Sequence, residues 1–188
     1  PDPVLQQVEH FNSPSETQND SFKSVSRYFD RITRPEQILT SLPQAINVML
    51  DPADCGPAVI SMSQDVQGES FDYPEVFFEE KVHEIRRVHP DPSQINQAVE
   101  KIKNSKQPII ISGGGVLYSE AEQELSKFAK KHNIPVTSTV MGIGCMTKDD
   151  PYYISAVGEL GEGSSNSLSK DTDLALAIGT KLADFTTG

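Results

Sequence analysis

The 188-residue chain carries 16 Lys and Arg against 27 Asp and Glu, a formal net charge of -11, with 36% hydrophobic residues. That balance argues against a nucleic-acid or acidic-membrane partner, because such partners must be met by cationic contacts. The longest apolar runs fall far short of the ~20 residues a membrane-crossing helix needs, and no basic-then-apolar leader opens the sequence. The expectation is a soluble, cytoplasmic protein, long enough for one good core or for a complete domain beside part of another.

Cys55 and Cys145 lie far apart, with no metal-ligand partners at zinc-site spacing, and read as free thiols. The first residue is Pro1 rather than methionine, and "GTKLADFTTG" closes the sequence just after a strand pattern. These ends suggest a portion of a longer protein, with essential groups outside it.

Asp2 to Ser26 combines a short amphipathic run with "NSPSETQND", whose polar composition predicts a loop or disorder. "TRPEQILTSLPQAINVMLDP" predicts a helix with Thr33 as N-cap, Pro35 in the first turn and Glu36 at the capping-box position. Its apolar face would be Ile38, Leu42, Ala45, Ile46, Met49 and Leu50, and Pro43 should bend or divide it. Asp51 and Asp54, at the turn that follows, suit capping of backbone N–H groups. "AVISM" at Ala58–Met62 then reads as a buried strand, the single obvious one from Thr33 to Gln67. Phe71, Tyr73, Phe77 and Phe78 suit aromatic clasps that pin a linker, although a recognition patch also fits. The charge run "EEKVHEIRR" reads as a solvated face, and "HPDP" as a boundary.

Beyond Pro92 the signals alternate cleanly. "DPSQINQAVEKIKNSK" predicts a helix capped near Ser93 with Ile95, Ala98, Val99 and Ile102 inward, and "PIIISGG" predicts a strand. "SEAEQELSKFAKKHN" predicts a helix with Ala121, Leu125, Phe128 and Ala129 inward, followed by strands in "IPVTSTV" and "DTDLALAIGT". Apolar strands joined through helices predict an α/β fold: a three-layer, Rossmann-like domain with a mostly parallel sheet.

Three glycine-rich loops then compete for attention. Gly113, Gly114 and Gly115 follow a strand and open onto a helix, a context that suits a phosphate. Their spacing completes neither G-x-G-x-x-G nor a GK[ST] loop, so a compact turn that needs no Cβ, or a positive φ, is the favoured reading. Met141, Gly142 and Gly144 occupy a second loop, where backbone and thioether could meet a flat ring. Gly158, Gly161, Gly163 and Asn166 occupy a third, beside Glu159 and Glu162, which would repel a phosphate. All three loops should gather at the carboxyl ends of parallel strands, where ligands of open α/β sheets bind. His10, His83, His89 and His132 form no metal-ligand pattern, and no serine sits in a nucleophile elbow. No catalytic residue and no metal ligand is assigned.

The order of these segments resembles the thiamine diphosphate-dependent enzymes of the acetolactate synthase and pyruvate oxidase superfamily. "TRPEQILTSLPQAINVMLDPADCGPAVISMSQDVQ" is similar to the end of the pyrimidine-binding domain, and "PIIISGGGV", "IPVTSTVMGIGCM" and "DTDLALAIGTKLADFTTG" are similar to most of the central domain. The resemblance implies residues 1–68 as the C-terminal part of the pyrimidine-binding domain, 69–92 as a linker and 93–188 as a central domain truncated at its C-terminal end. "PDPVLQQVEHF", "SVSRYFDRITRPEQI" and "QDVQGESFDYPEVFFEEKVHEIRR" point within the superfamily to a ring-opening C–C hydrolase rather than a carboligase. For such a parent the resemblance implies a cyclic 1,2-dione substrate from inositol catabolism, thiamine diphosphate with Mg2+, and a homo-oligomer. The thiamine ylid would attack a carbonyl and act as electron sink.

The resemblance also implies that the glutamate activating the cofactor precedes Pro1 and that the GDG-type magnesium-diphosphate motif follows Gly188. This chain alone is therefore expected to be inactive, with no cofactor of its own. Some relatives hold FAD in the central domain, at loops matching Gly113–Gly115, Met141–Gly144 and Gly158–Gly161. Flavin users commonly carry a GMHG-like stretch where this sequence has "GELG", so FAD is not expected and any site there would be vestigial.

Overall fold

A computed structural model describes residues 9–10 and 12–187. The short amphipathic run expected near the amino terminus lies largely outside the described residues. Two compact units divide between His89 and Pro90.

The first unit opens with a small antiparallel ribbon, β1 (Glu9–His10) with β2 (Ser13–Thr17), and continues as a 3-10 helix over Gln18–Val25. The loop expected from "NSPSETQND" is therefore regular. Part of the reason is local: Asp20 accepts the Thr17 N–H at 2.6 Å and holds Lys23 at 2.7 Å. Next comes a βαβ unit, made of β3 (Tyr28–Ile32), α1 (Ile38–Leu50) and β4 (Ala58–Met62), with β3 and β4 parallel and paired residue for residue from Tyr28↔Ala58 to Ile32↔Met62. Ala58–Met62 is thus not a lone strand. β3 escapes pattern reading because Asp30 and Arg31 interrupt it; Asp30 is accommodated by the Tyr28 and Ser41 hydroxyls, which both donate to its carboxylate.

The start of α1 also differs from expectation. Gln37 Oε1 accepts the N–H groups of Thr33 and Arg34 and the Thr33 hydroxyl at 2.7–2.9 Å, while Glu36 pairs with Arg34. Pro35–Gln37 forms a 3-10 turn, so Thr33 is not the N-cap and Glu36 is not the capping partner. Pro43 does not divide α1, which runs on to Leu50. Among the described residues the helix rests on two strands, β3 and β4, with Ser41 and Ala45 buried and Leu42 and Met49 exposed rather than inward. Asp51 accepts the N–H groups of Ala53 and Asp54 at 2.8 Å each, and Asp54 pairs with Arg27 at 3.6 Å. A one-turn helix, α2 (Gln64–Gln67), follows. Tyr73 packs against Phe71, Phe77 and Phe78, and its hydroxyl donates to Pro35 O at 3.2 Å, fastening this aromatic segment to the first unit.

The second unit is an α/β layer structure. α3 (Pro92–Asn104) is capped by Asp91, whose carboxylate accepts from the Ser93 and Gln94 amides, with Pro92 in the first turn; Ser93 lies inside the helix. Ile95, Ala98 and Val99 are exposed, contrary to the inward face expected, because α3 reaches the core only near its last turn, at Ile102.

The remaining elements are β5 (Pro108–Ser112), α4 (Gly114–Tyr118), α5 (Glu122–His132), β6 (Val136–Ser138), β7 (Tyr153–Ala156), α6 (Gly163–Lys170), β8 (Leu174–Ile178) and α7 (Asp184–Thr187). The four strands form one sheet in the order β7-β6-β5-β8, parallel throughout. Ile109 and Ile110 are both fully buried, so both faces of β5 are covered. Ile110, Leu125, Ala129, Ile134 and Val136 form one cluster, with Ala121 and Phe128 packed against it, as the α5 periodicity predicts. Each large aliphatic side chain buried in this way contributes roughly 2 kcal/mol.

Candidate functional site

The chain passes from β5 outward to β6 and β7, then returns to the far side of β5 as β8. Such a reversal leaves a crevice at the carboxyl ends of the strands. Here the loops after all four strands meet around one cavity of about 700 Å3.

The loops are tied together by main-chain hydrogen bonds. Gly113 N donates to Ile178 O at 2.8 Å, Gly115 N to Gly179 O at 2.9 Å and Val116 N to Gly113 O at 3.2 Å. Three amides that a phosphate would require are thus already engaged within the protein. The glycines serve a close approach: a Cβ at Gly113 would lie 2.3 Å from Gly179 O, and one at Gly115 would lie 2.7 Å from Gly179 Cα. Neither has a positive φ, so it is the absent side chain that this turn uses. α4 is also only five residues long, which leaves no extended helix terminus to face an anion.

The loop after β6 is held the same way, with Thr139 N donating to Ser112 O at 2.8 Å and Gly142 N to Thr139 O at 2.9 Å. The loop after β7 is fixed by Asn166, whose side-chain amide brackets Gly158: Gly158 N donates to Oδ1 and Nδ2 donates to Gly158 O, both at 2.9 Å. Gly158 has φ +105°, and a Cβ there would lie 2.0 Å from Phe185 O. This loop therefore locks onto the segment that follows β8.

Of the residues singled out from sequence, Gly114, Gly115 and Met141 line the cavity. Gly113 and Gly142 pack behind it, Gly158 and Gly161 pack within the third loop and against α7, and Gly144 borders a different depression beside Cys145. Sequence reasoning missed Tyr118, Leu160, Lys181 and Phe185, which supply most of the exposed apolar wall and its single cation. Their only signal was position just beyond strand ends. Glu159 and Glu162 do not line the cavity.

A cavity with one lysine and a mainly apolar wall can hold a flat, largely uncharged ring; it has no cradle for a diphosphate. Among the described residues no group of three or more His, Cys, Asp or Glu is placed to hold a metal ion. The residues present therefore do not fit thiamine diphosphate with its magnesium. Cys145 is buried, and burial pushes its thiol up from the ordinary range, while Cys55 is exposed. Cys145 is therefore not activated as a nucleophile. No helix among the described residues is long and apolar enough to cross a membrane.

The parallel sheet and its glycine-laced loops define a class, and comparison agrees: residues 95–188 match the family described as thiamine pyrophosphate enzyme, central domain, and the chain belongs to that family. Its relatives sharpen the picture. The chain is 47% identical over 187 residues to the 3D-(3,5/4)-trihydroxycyclohexane-1,2-dione hydrolase of Clostridium tetani, 45% identical to that of Bacillus cereus and 47% identical to that of Clostridium botulinum. Each alignment covers 100% of this chain and 29% of the relative, so the chain spans less than a third of the relatives' length.

Proposed function

We propose that this chain is part of a thiamine diphosphate- and Mg2+-dependent hydrolase that opens the ring of 3D-trihydroxycyclohexane-1,2-dione to 5-deoxy-glucuronate in inositol catabolism. The observation carrying this reading is that similarity to the hydrolases covers the whole chain, including the residues ahead of the central-domain match at residue 95. In this reading residues 1–68 close the pyrimidine-binding domain, 69–92 link, and 93–188 contribute the central domain. The βαβ unit of β3, α1 and β4 is compatible with the first assignment. The whole protein would be a cytoplasmic homo-oligomer that binds thiamine diphosphate and Mg2+ through residues other than those here, and this chain alone would be inactive.

The test is turnover by the whole protein supplied with the cyclic dione, thiamine diphosphate and Mg2+. Ring-opened product supports the proposal; no product, with acetolactate formed from pyruvate instead, contradicts it and favours a carboligase.

The apolar cavity favours one second reading, a surviving pocket at Gly114, Gly115 and Met141 for the flat ring of a flavin or nucleotide, with no hold on its diphosphate. Calorimetric titration of the chain with FAD, ADP and NAD tests it, and no saturable heat with any of the three rejects it.

A further inference from the structure

The segment joining the two units is anchored at both ends and bare between them. Upstream, the Tyr73 hydroxyl donates to Pro35 O and its ring packs on Phe71, Phe77 and Phe78, within the first unit. Downstream, the Asp91 carboxylate accepts the Ser93 and Gln94 amides at the start of the second. From Glu79 to Arg86 every residue is exposed and lies in neither helix nor strand, and none of them shares a main-chain hydrogen bond among the described residues. Among the same residues no ion pair involves Glu79, Glu80, Lys81, Glu84 or Arg86. Packing does not compensate, since Val82 and Ile85 are 88% and 59% exposed. A backbone in this state needs no prior unfolding to enter a protease cleft, unlike one held in a helix or sheet.

The second unit, by contrast, holds its own core. Ile110, Val116, Leu125, Ala129, Ile134 and Val136 all lie beyond Pro90, and so do the four strands of its sheet. We propose that residues 79–86 are a site of proteolytic cleavage, and that the second unit persists as a folded body once the chain is cut there. The enzyme that fits is an endopeptidase selecting a basic or an acidic residue before the cut, because Lys81 and Arg86 share the stretch with Glu79, Glu80 and Glu84. Water adds across the peptide bond, leaving a carboxylate on the residue before the cut and an amine on the one after it. Within the second unit Lys101, Lys103, Lys127, Lys130, Lys131 and Lys170 stand in helices, whose turns must open before cleavage.

Limited digestion of the folded 188-residue chain with trypsin and, separately, with a glutamate-specific protease tests the proposal, with the cuts located by mass spectrometry. Trypsin should cut first after Lys81, Arg86 or the adjacent Arg87, and the second enzyme after Glu79, Glu80 or Glu84. Each should do so at least about tenfold faster than at any bond of the β3-α1-β4 unit or of the second unit. The two specificities differ, so agreement between them reads the state of the backbone rather than the choice of side chain. The second-unit piece, separated under native conditions, should melt cooperatively and keep the fully buried Cys145 unreactive toward a thiol reagent. A first cut inside either of those units, or two proteases that open different regions, would overturn the cleavage site. A second-unit piece that separates only in denaturant, or whose Cys145 reacts at once, would overturn its independence.

Discussion

Replacing Gly115 by alanine separates a packing glycine from a ligand-cradling one. In its favour, alanine inside α4 gains about 1 kcal/mol of helix propensity. Against it, the new Cβ would meet Gly179 Cα at 2.7 Å, O at 2.9 Å and C at 3.1 Å, all of them backbone atoms held by the Gly115 N–H to Gly179 O bond. Backbone cannot swing aside as a side chain can, so β8 must shift against β5. Overpacking of this kind costs about 1–3 kcal/mol, and where the backbone of a central strand pair has to move the upper part of that range applies. The net expectation is destabilisation of about 1–2 kcal/mol, a fall in melting temperature of roughly 5–10 °C for a unit of this size. Gly163→Ala is the matched control: nothing lies within 4 Å of its added Cβ, and it should melt within about 2 °C of wild type. The assay is thermal unfolding followed by circular dichroism. A Gly115→Ala protein that melts at or above the wild-type temperature would refute the packing argument and return these glycines to a role in ligand approach.

Other expectations follow from single side chains. Asp173 accepts the Ser105 hydroxyl and the Lys106 and Gln107 amides, which hold its carboxyl at about 2, below the roughly 3.9 of an unfolded chain. Its contribution to stability should be full above pH 4 and vanish as the pH falls through 2, so melting curves of Asp173→Ala and wild type should differ at pH 7 and converge at low pH. Asn166→Ala removes both bonds that bracket Gly158 and should cost about 1–3 kcal/mol in a denaturant melt. A thiol reagent should modify Cys55 at once and Cys145 only when the second unit unfolds, giving one fast equivalent in the native protein and two in denaturant.

Where the fold could be read from sequence, one physical signal dominated. β5 reads plainly because three isoleucines in a row suit a strand covered on both faces, and α5 reads plainly because Leu125 and Ala129 repeat at helical spacing over a real core. Failures arose where polar chemistry replaced that signal. β3 hides behind Asp30, which is satisfied by the Tyr28 hydroxyl of its own strand and the Ser41 hydroxyl of α1, and the start of α1 hides in a glutamine reaching back rather than a threonine reaching forward. α3 shows the opposite error, a proper apolar stripe whose Ile95 and Val99 stay 46% and 38% exposed. For the candidate site, the gathering of loops follows from parallel topology and was foreseeable. The wall was not, because Leu160 and Lys181 belong to irregular loops and Tyr118 and Phe185 to helices of only five and four residues, too short to show a period. The glycines read from their spacing as a compact turn rather than a phosphate loop, and their missing side chains make room for Gly179.

The central claim is that these residues supply scaffold within a thiamine diphosphate enzyme while the cofactor is held by others. Calorimetric titration of the folded 188-residue chain with thiamine diphosphate in the presence of Mg2+, beside the whole protein under the same conditions, tests it most directly. Saturable binding by the whole protein and none by the chain is the predicted result; saturable binding of comparable affinity by the chain would contradict it.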